Sequence, residues 1–239
     1  MTLLSICQKS ADAAGIPRPE TVINNTEDNV KSLLVQANIE GIELAKRHTW
    51  AQTTKEGTYT SVATESQGAF SSLGSGAADY SDFDRMIPGT FWNRSMNWRI
   101  DGPLSPIEWQ AKKSSSASGP YNEYRIQSGN LYLYPAPTAG DTHAFEFVSD
   151  QWCQSSGGSG QSAWAADTDT GILDEHLMQL GVTWRFLKAK GFAFENEYLV
   201  YENSVKQAIS RDGGKRTLNL ASRRQFRAGI VVPDGNWSP

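Results

Sequence analysis

Cysteine is almost missing from this sequence, with only Cys7 and Cys153 in 239 residues. Two thiols build neither a disulfide framework nor a metal site, so reduced cysteines in a cytoplasmic product are expected, with no metal and no cofactor. Histidine is nearly as scarce. His48, His143 and His176 fall in three different predicted elements and in no motif, so surface or helix-end roles are expected of each. Long apolar runs are lacking too: the opening run Met1 to Cys7 stops at Gln8 and Lys9, short of a signal peptide or a membrane span, and neither export by that route nor insertion is expected. The N-x-[ST] matches at Asn24, Asn93 and Asn236 then have no secretory setting. No excess of positive charge exists either. The 22 Lys and Arg stand against 26 Asp and Glu, a net −4, which argues against a surface built wholly to neutralise nucleic-acid phosphates. No G-x-S-x-G, H-E-x-x-H or P-loop pattern occurs, and Gly157-Gly158-Ser159-Gly160 lacks the lysine and following helix of a phosphate cradle.

What is there is a globular composition, 38 % hydrophobic, enough for one substantial core or two small ones. Leu3, Leu4, Cys7, Ala11 and Ala14 follow helical spacing until Gly15-Ile16-Pro17 stops them. A longer stripe, Val30, Leu33, Leu34, Ala37, Gly41, Leu44 and Ala45, predicts a second helix from the Asn25–Asp28 cap region to about His48. From Ala51 the pattern turns to strand-like alternation. Its clearest part runs from Tyr124 to Val148 and reads as an antiparallel meander with a Ser128-Gly129-Asn130 turn and a Pro135–Asp141 connection. Small-residue stretches at Ser71–Ala77, Lys113–Gly119 and Gln154–Ser162 read as exposed, flexible loops. Helical spacing returns with Leu173, Leu177, Leu180, Trp184 and Leu187, and again with Phe194, Tyr198, Tyr201, Val205, Ala208 and Ile209. The expected fold class is α+β: an α-helical bundle formed by the N- and C-terminal helices (1–50 and 166–213), an inserted antiparallel β region with flexible loops (51–165), and an extended C-terminal tail (214–239).

Charge is strongly segregated along the chain. Residues 205–239 hold seven Lys or Arg against two Asp, or +5, leaving 15 bases and 24 acids, or −9, for residues 1–204. The tail pairs its basic residues Lys215, Arg216, Arg223, Arg224 and Arg227 with apolar Phe226, Ile230, Val231, Val232 and Trp237, which a purely electrostatic arm would not need. These ten residues are the candidate partner-binding set. Docking on another protein is favoured over a DNA-facing strip or a tail left solvated, and Ile230-Val231-Val232 suits strand addition to a partner's sheet edge.

Other constellations are weaker. Asp167-Thr168-Asp169-Thr170-Gly171 with Asp174 and Glu175 looks like the start of a calcium loop but lacks its ligand spacing and its bidentate glutamate, so Asp169 or Thr170 is expected to cap the next helix. Asp101, Glu108 and Glu146 lie among aromatics, and Trp92, Trp98, Trp109, Trp152 and Trp164 concentrate in or beside the β region. They leave two alternatives open: a peptidoglycan-degrading tail enzyme, and a carbohydrate- or receptor-binding module.

The run Phe91-Trp92-Asn93-Arg94, then Gly102-Pro103-Leu104-Ser105-Pro106-Ile107-Glu108-Trp109-Gln110, resembles the signature stretch of head-to-tail adaptor (connector) proteins of short-tailed and related bacteriophages. Tyr124-Arg125-Ile126, Leu131 to Pro137, Phe145-Glu146-Phe147, Trp152 and the helix from Ile172 to Lys190 continue the resemblance in order, over about residues 20–215. It implies a helical bundle with a β insertion and a structural, non-enzymatic virion subunit made in the host cytoplasm. Such subunits form a closed ring, commonly a dodecamer, below the portal protein at the head–tail junction. The partners implied are the portal, tail tube, nozzle or tail fibre proteins, further copies of the chain itself, and genomic DNA passing through the lumen without sequence-specific binding. The tail segment is the part implied to reach the portal.

Overall fold

In the computed structural model, which describes residues 1–114, 119 and 121–213, the apolar side chains gather into two separate cores. The first belongs to a unit made of Met1–Thr54 and Val148–Gly214, the second to Lys55–Phe147.

The first unit is built on four helices: α1 (Leu3–Ala14), α2 (Asp28–Arg47), α4 (Glu175–Lys190) and α5 (Glu195–Arg211), with α1, α2 and α5 each packed on α4. Local chemistry sets the ends. Thr2 caps α1 through Ser5 N–H, and Gly15 closes it in the left-handed region at φ 68°. Asp174 caps α4 by accepting from His176 and Leu177 N–H, and Gly191, at φ 76°, returns its N–H to Leu187 and Lys188 carbonyls. On α2 the buried residues Leu33, Ala37, Gly41 and Leu44 face inward, and Gly41 lies against the ring of Trp152, where any Cβ would collide with the indole. Burying a side chain of that size contributes on the order of 2–3 kcal/mol, so the small residue on α2 and the large one on the loop belong together. A small sheet of β9 (Cys153–Gln154), β10 (Gly160–Gln161) and β11 (Thr170–Gly171), in the order β10-β9-β11, completes the unit.

The second unit holds two antiparallel sheets and helix α3 (Pro106–Ser114). One sheet orders β1 (Thr54–Thr60), β8 (Thr142–Ser149), β4 (Trp92–Asn93) and β5 (Trp98–Arg99), with β3 (Phe83–Met86) also pairing β8. The other orders β2 (Ser66–Ala69), β7 (Asn130–Tyr134) and β6 (Glu123–Gln127). The core is aromatic. Phe145 of β8 meets Tyr59, Phe70, Tyr80 and Phe91 edge-on at ring separations of 5.6 to 6.4 Å, the geometry favoured by ring quadrupoles.

These observations correct the α+β expectation of a helical bundle carrying one inserted antiparallel region. The chain is mixed α/β, with five α-helices and three separate antiparallel sheets among the described residues. Helix α3 stands inside the stretch read as strand, because Ser105-Pro106-Ile107-Glu108 is a helix start: Glu108 N–H donates to Ser105 Oγ at 3.3 Å and Glu108 Oε2 accepts from Ser105 N–H at 2.8 Å. The single meander is also corrected. β6 and β7 pair as a hairpin with β2, but β8 joins the other sheet, since Pro135 and Pro137 withhold two ladder donors and the connection carries the chain away. Two stretches read as flexible loops are tied down. Leu73 is fully buried, Ser75 N–H donates to Thr60 C=O at 2.9 Å, and Cys153–Gln161 forms the β9–β10 hairpin. The third, Lys113–Gly119, is only partly within the described residues, and the extended tail 214–239 lies outside them. No helix among the described residues is long and apolar enough to cross a membrane.

Candidate functional site

The ten tail residues nominated for partner binding, Lys215, Arg216, Arg223, Arg224, Phe226, Arg227, Ile230, Val231, Val232 and Trp237, lie outside the described residues. The point from which they depart is well defined. Asp212, just past α5, accepts from Ala51 N–H at 3.0 Å and lies 3.4 Å from His48 Nε2, so the end of α5 is fastened beside the end of α2. Next to this junction a groove of about 380 Å³ is lined by Trp50, Asp174, His176, Gln207, Arg211 and Asp212. Its two carboxylates already have structural work, one as the α4 cap and one as this fastening.

The acidic loop likewise folds on itself. Asp167 accepts from Val22 and Ile23 N–H at 2.8 to 3.1 Å, and Asp169 from Ala165 and Ala166 N–H at 2.8 Å. The helix cap expected of Asp169 or Thr170 is instead Asp174, since α4 begins at Glu175. No group of three or more His, Cys, Asp or Glu among the described residues is arranged to hold a metal ion. Both thiols are buried, which pushes each up to about 12.

His143 departs from expectation most. It is fully buried, its Nδ1 2.9 Å from Tyr59 Oη and its ring edge-on to Tyr59 and Phe91, and burial pulls its pKa down to about 4. A neutral imidazole therefore serves as a core side chain. The neighbouring polar pair is satisfied internally, with Asn93 Nδ2 donating to Asp141 Oδ2 at 2.9 Å. His48 caps the end of α2, one residue beyond its last turn, and His176 lies exposed in the first turn of α4.

The carboxylates and tryptophans considered for sugar chemistry are not assembled into one site. Glu108 closes the α3 capping box, which holds its carboxyl below the ordinary range, and Asp101 accepts from Arg99 Nε at 2.9 Å. Trp152 and Trp164 pack edge-on at 5.3 Å in the helical unit's core. In the β unit, Trp109 is buried beside Tyr132 and Tyr134, while Trp92 and Trp98 are half-buried.

One constellation escaped the sequence reading. Glu40 of α2 is fully buried, and both its oxygens are taken: Tyr201 Oη of α5 donates to Oε1 at 2.5 Å, and Arg185 Nε of α4 donates to Oε2 at 2.7 Å. Arg185 also donates to Glu43 at 2.6 Å and stacks on Trp184, 4.5 Å from the ring centroid. Arg47 pairs with Glu202 and lies over the Tyr201 ring. Burial raises the Glu40 carboxyl above its ordinary value even against the Tyr201 and Arg185 donors, and burial also raises Tyr201. The available signal was an acid in phase with Ala37, Gly41 and Leu44 on an apolar stripe. Chemically this centre is closed. It pins the register of three helices and leaves no oxygen free for a substrate.

Compared with known protein families and with curated proteins, the sequence matches none.

Proposed function

We propose that the chain is a structural subunit of the head-to-tail adaptor type, assembling as a ring below a phage portal and joining it to the tail while DNA passes through. The observation that carries this reading is the work done by the residues of the resemblance. Ser105 and Glu108 start a helix, and Trp109 lies against Tyr132 and Tyr134 of β7. Phe91 packs edge-on to Tyr124 at 5.2 Å, and Gly102, at φ 153°, has no room for a Cβ against Tyr124. A distinctive stretch whose Ser105, Glu108, Trp109, Phe91 and Gly102 serve capping and packing suits a shape-defining component. Of the carboxylates behind the peptidoglycan-degrading alternative, Glu108 already serves as a cap and Asp101 pairs with Arg99, which leaves Glu146, exposed on β8, as the one that alternative would rest on. The carbohydrate- or receptor-binding alternative would need a continuous aromatic surface, whereas Trp152 and Trp164 are buried in the helical unit's core and Trp109 is buried against Tyr132 and Tyr134, which leaves only Trp92 and Trp98 half-exposed.

Portal, tail and nozzle or fibre proteins are the partners in this reading, with the tail from Lys215 as the portal-binding element. Native mass measurement of the full chain with and without portal rings tests it: one closed copy number on the portal supports the assignment, and a chain that ignores the portal overturns it. A cell-wall zymogram serves as the control, and activity lost in Glu108→Gln or Glu146→Gln would replace the structural reading with the enzymatic one.

A further inference from the structure

Each unit encloses a fully buried side chain that gains a proton in acid, and the two are built to respond in opposite ways. In the β unit this is His143 of β8. Its Nδ1 lies 2.9 Å from Tyr59 Oη of β1, and its Nε2 is buried with no hydrogen-bond partner in the protein. The rings of Tyr59 and Phe91 close on it edge-on at 5.2 and 5.8 Å, and Asn93 of β4 stands opposite it in the ladder. The carboxylate facing it is Asp141, whose Oδ2 is already taken by Asn93 Nδ2. Whichever nitrogen carries the proton, the neutral ring makes its one hydrogen bond to Tyr59. The imidazolium instead has two N–H donors and a full charge, and Tyr59 Oη can receive one of them. Only an opened unit lets the second reach water.

The helical unit answers acid the other way. Glu40 is fully buried between Tyr201 Oη and Arg185 Nε, with Glu43 repelling it and Arg47 over the Tyr201 ring. A proton on Glu40 removes a buried charge, while Arg185 keeps its pairing with Glu43. His48 Nε2, 3.4 Å from Asp212, gains an ion pair when protonated, and His176 is exposed. The carboxyls of Asp12, Glu108 and Glu202 are held below their ordinary range by hydrogen bonds from Arg18, Ser105 and Arg47, so the support they give is lost below pH 4.5. Between pH 7 and 4.5, the buried group that titrates against its own fold is His143.

We propose that weak acid opens the β unit selectively, with His143 as the trigger, while the helical unit stays closed. The device is independent of the ring reading, since it needs one chain alone. The cores are separate, with Phe91, Tyr124 and Phe145 in one and Leu33, Trp152 and Phe186 in the other, so losing the first packing set leaves the second in place. Burial outweighs the pull of the Asp141 charge and holds the closed His143 near 4, against 6.5 in an opened unit. Closure is therefore unaffected above 6.5 and weakens as pH falls toward 4. The opening equilibrium of the β unit should rise roughly 50-fold from pH 7 to pH 4.5.

Hydrogen exchange of the full chain tests the device, followed peptide by peptide by mass spectrometry from pH 7 to pH 4.5 and corrected for the chemical slowing of exchange in acid. Amides of β1, β4 and β8 should lose protection by roughly 50-fold, and those of α2 and α4 should keep theirs. Protection lost equally in both units, or in neither, overturns the proposal. His143→Gln should remove most of the loss in the β unit, and a folded variant with the parent's pH response overturns the role of the imidazole. Where that variant does not fold, imidazole NMR of the parent decides the same point. The His143 ring signal should remain that of the neutral form down to pH 5, and a signal that titrates near 6.5 while β8 stays protected overturns the trigger.

Discussion

Gly181 of α4 lies directly against the carboxyl group of Glu40 on α2, so that a Cβ at position 181 would overlap the carboxyl carbon and both oxygens. The backbone of one helix thus forms a wall of the pocket that holds the other helix's buried acid. Replacing a helix-interior glycine by alanine ordinarily stabilises by about 1 kcal/mol. Here Gly181→Ala should instead destabilise by about 1–3 kcal/mol, the usual range for overpacking a filled site. Urea unfolding decides it, and a stabilised variant would show that the carboxyl does not occupy that position.

The Glu40–Arg185 pair should be costly to break and cheap to replace. Glu40→Ala strands Arg185 and Tyr201 and should lose about 3–5 kcal/mol, whereas Glu40→Leu with Arg185→Met and Tyr201→Phe should come within about 2 kcal/mol of the parent. The pH dependence has a definite sign. A carboxyl whose folded pKa is raised contributes stability that is fully present below its ordinary value of 4.5 and is lost as pH rises through the folded value. The stability gap between parent and Glu40→Gln should therefore narrow as pH rises from 4.5, and a widening gap would reverse the assignment.

His143 makes the opposite prediction. In the unfolded chain it protonates near 6.5, but in the folded protein only near 4, so above 6.5 both states are neutral and it has no effect on stability. Between 6.5 and 4 the unfolded state binds the extra proton and stability falls as pH falls, by at most about 3 kcal/mol for a shift of this size. His143→Gln should flatten that part of the stability curve. A parent whose midpoint is constant from pH 7 to pH 4 would contradict the buried, neutral imidazole.

Helices α1, α2, α4 and α5 were legible because their apolar spacing is regular and Gly15 and Gly191 stop two of them cleanly. Helix α3 was not, since its nine residues bury only Trp109 and its evidence is the Ser105–Glu108 box, a capping signal without a stripe. The route of β8 was hidden for a different reason. Its alternation announces a strand but says nothing about which sheet receives it, and pairing with β1, β3 and β4 is a long-range choice made by the aromatic core around Phe145. In the candidate site the failures share one cause. His143 is read by residue type as a surface or helix-end group and Glu40 is not singled out at all, while their positions in phase with core residues carry the contrary signal.

Deleting residues 215–239 is the sharpest binding experiment. The last described fastening of the chain is Asp212, held by Ala51 N–H and facing His48, so a chain ending at Gly214 keeps α5 in place. The deletion should leave the unfolding midpoint unchanged. It removes five basic residues against one acid and all ten side chains proposed to meet the portal, so binding to isolated portal rings should fall below detection. Charge and apolar surface contribute separately and can be told apart. Replacing Arg223, Arg224 and Arg227 by glutamine should weaken binding mainly at low salt, because screening at high ionic strength removes the same attraction, whereas Ile230→Asp with Val232→Asp should weaken it at every salt concentration. A truncated chain that folds and still binds portal with parental affinity would exclude the tail as the docking element and send the search back to the helical unit.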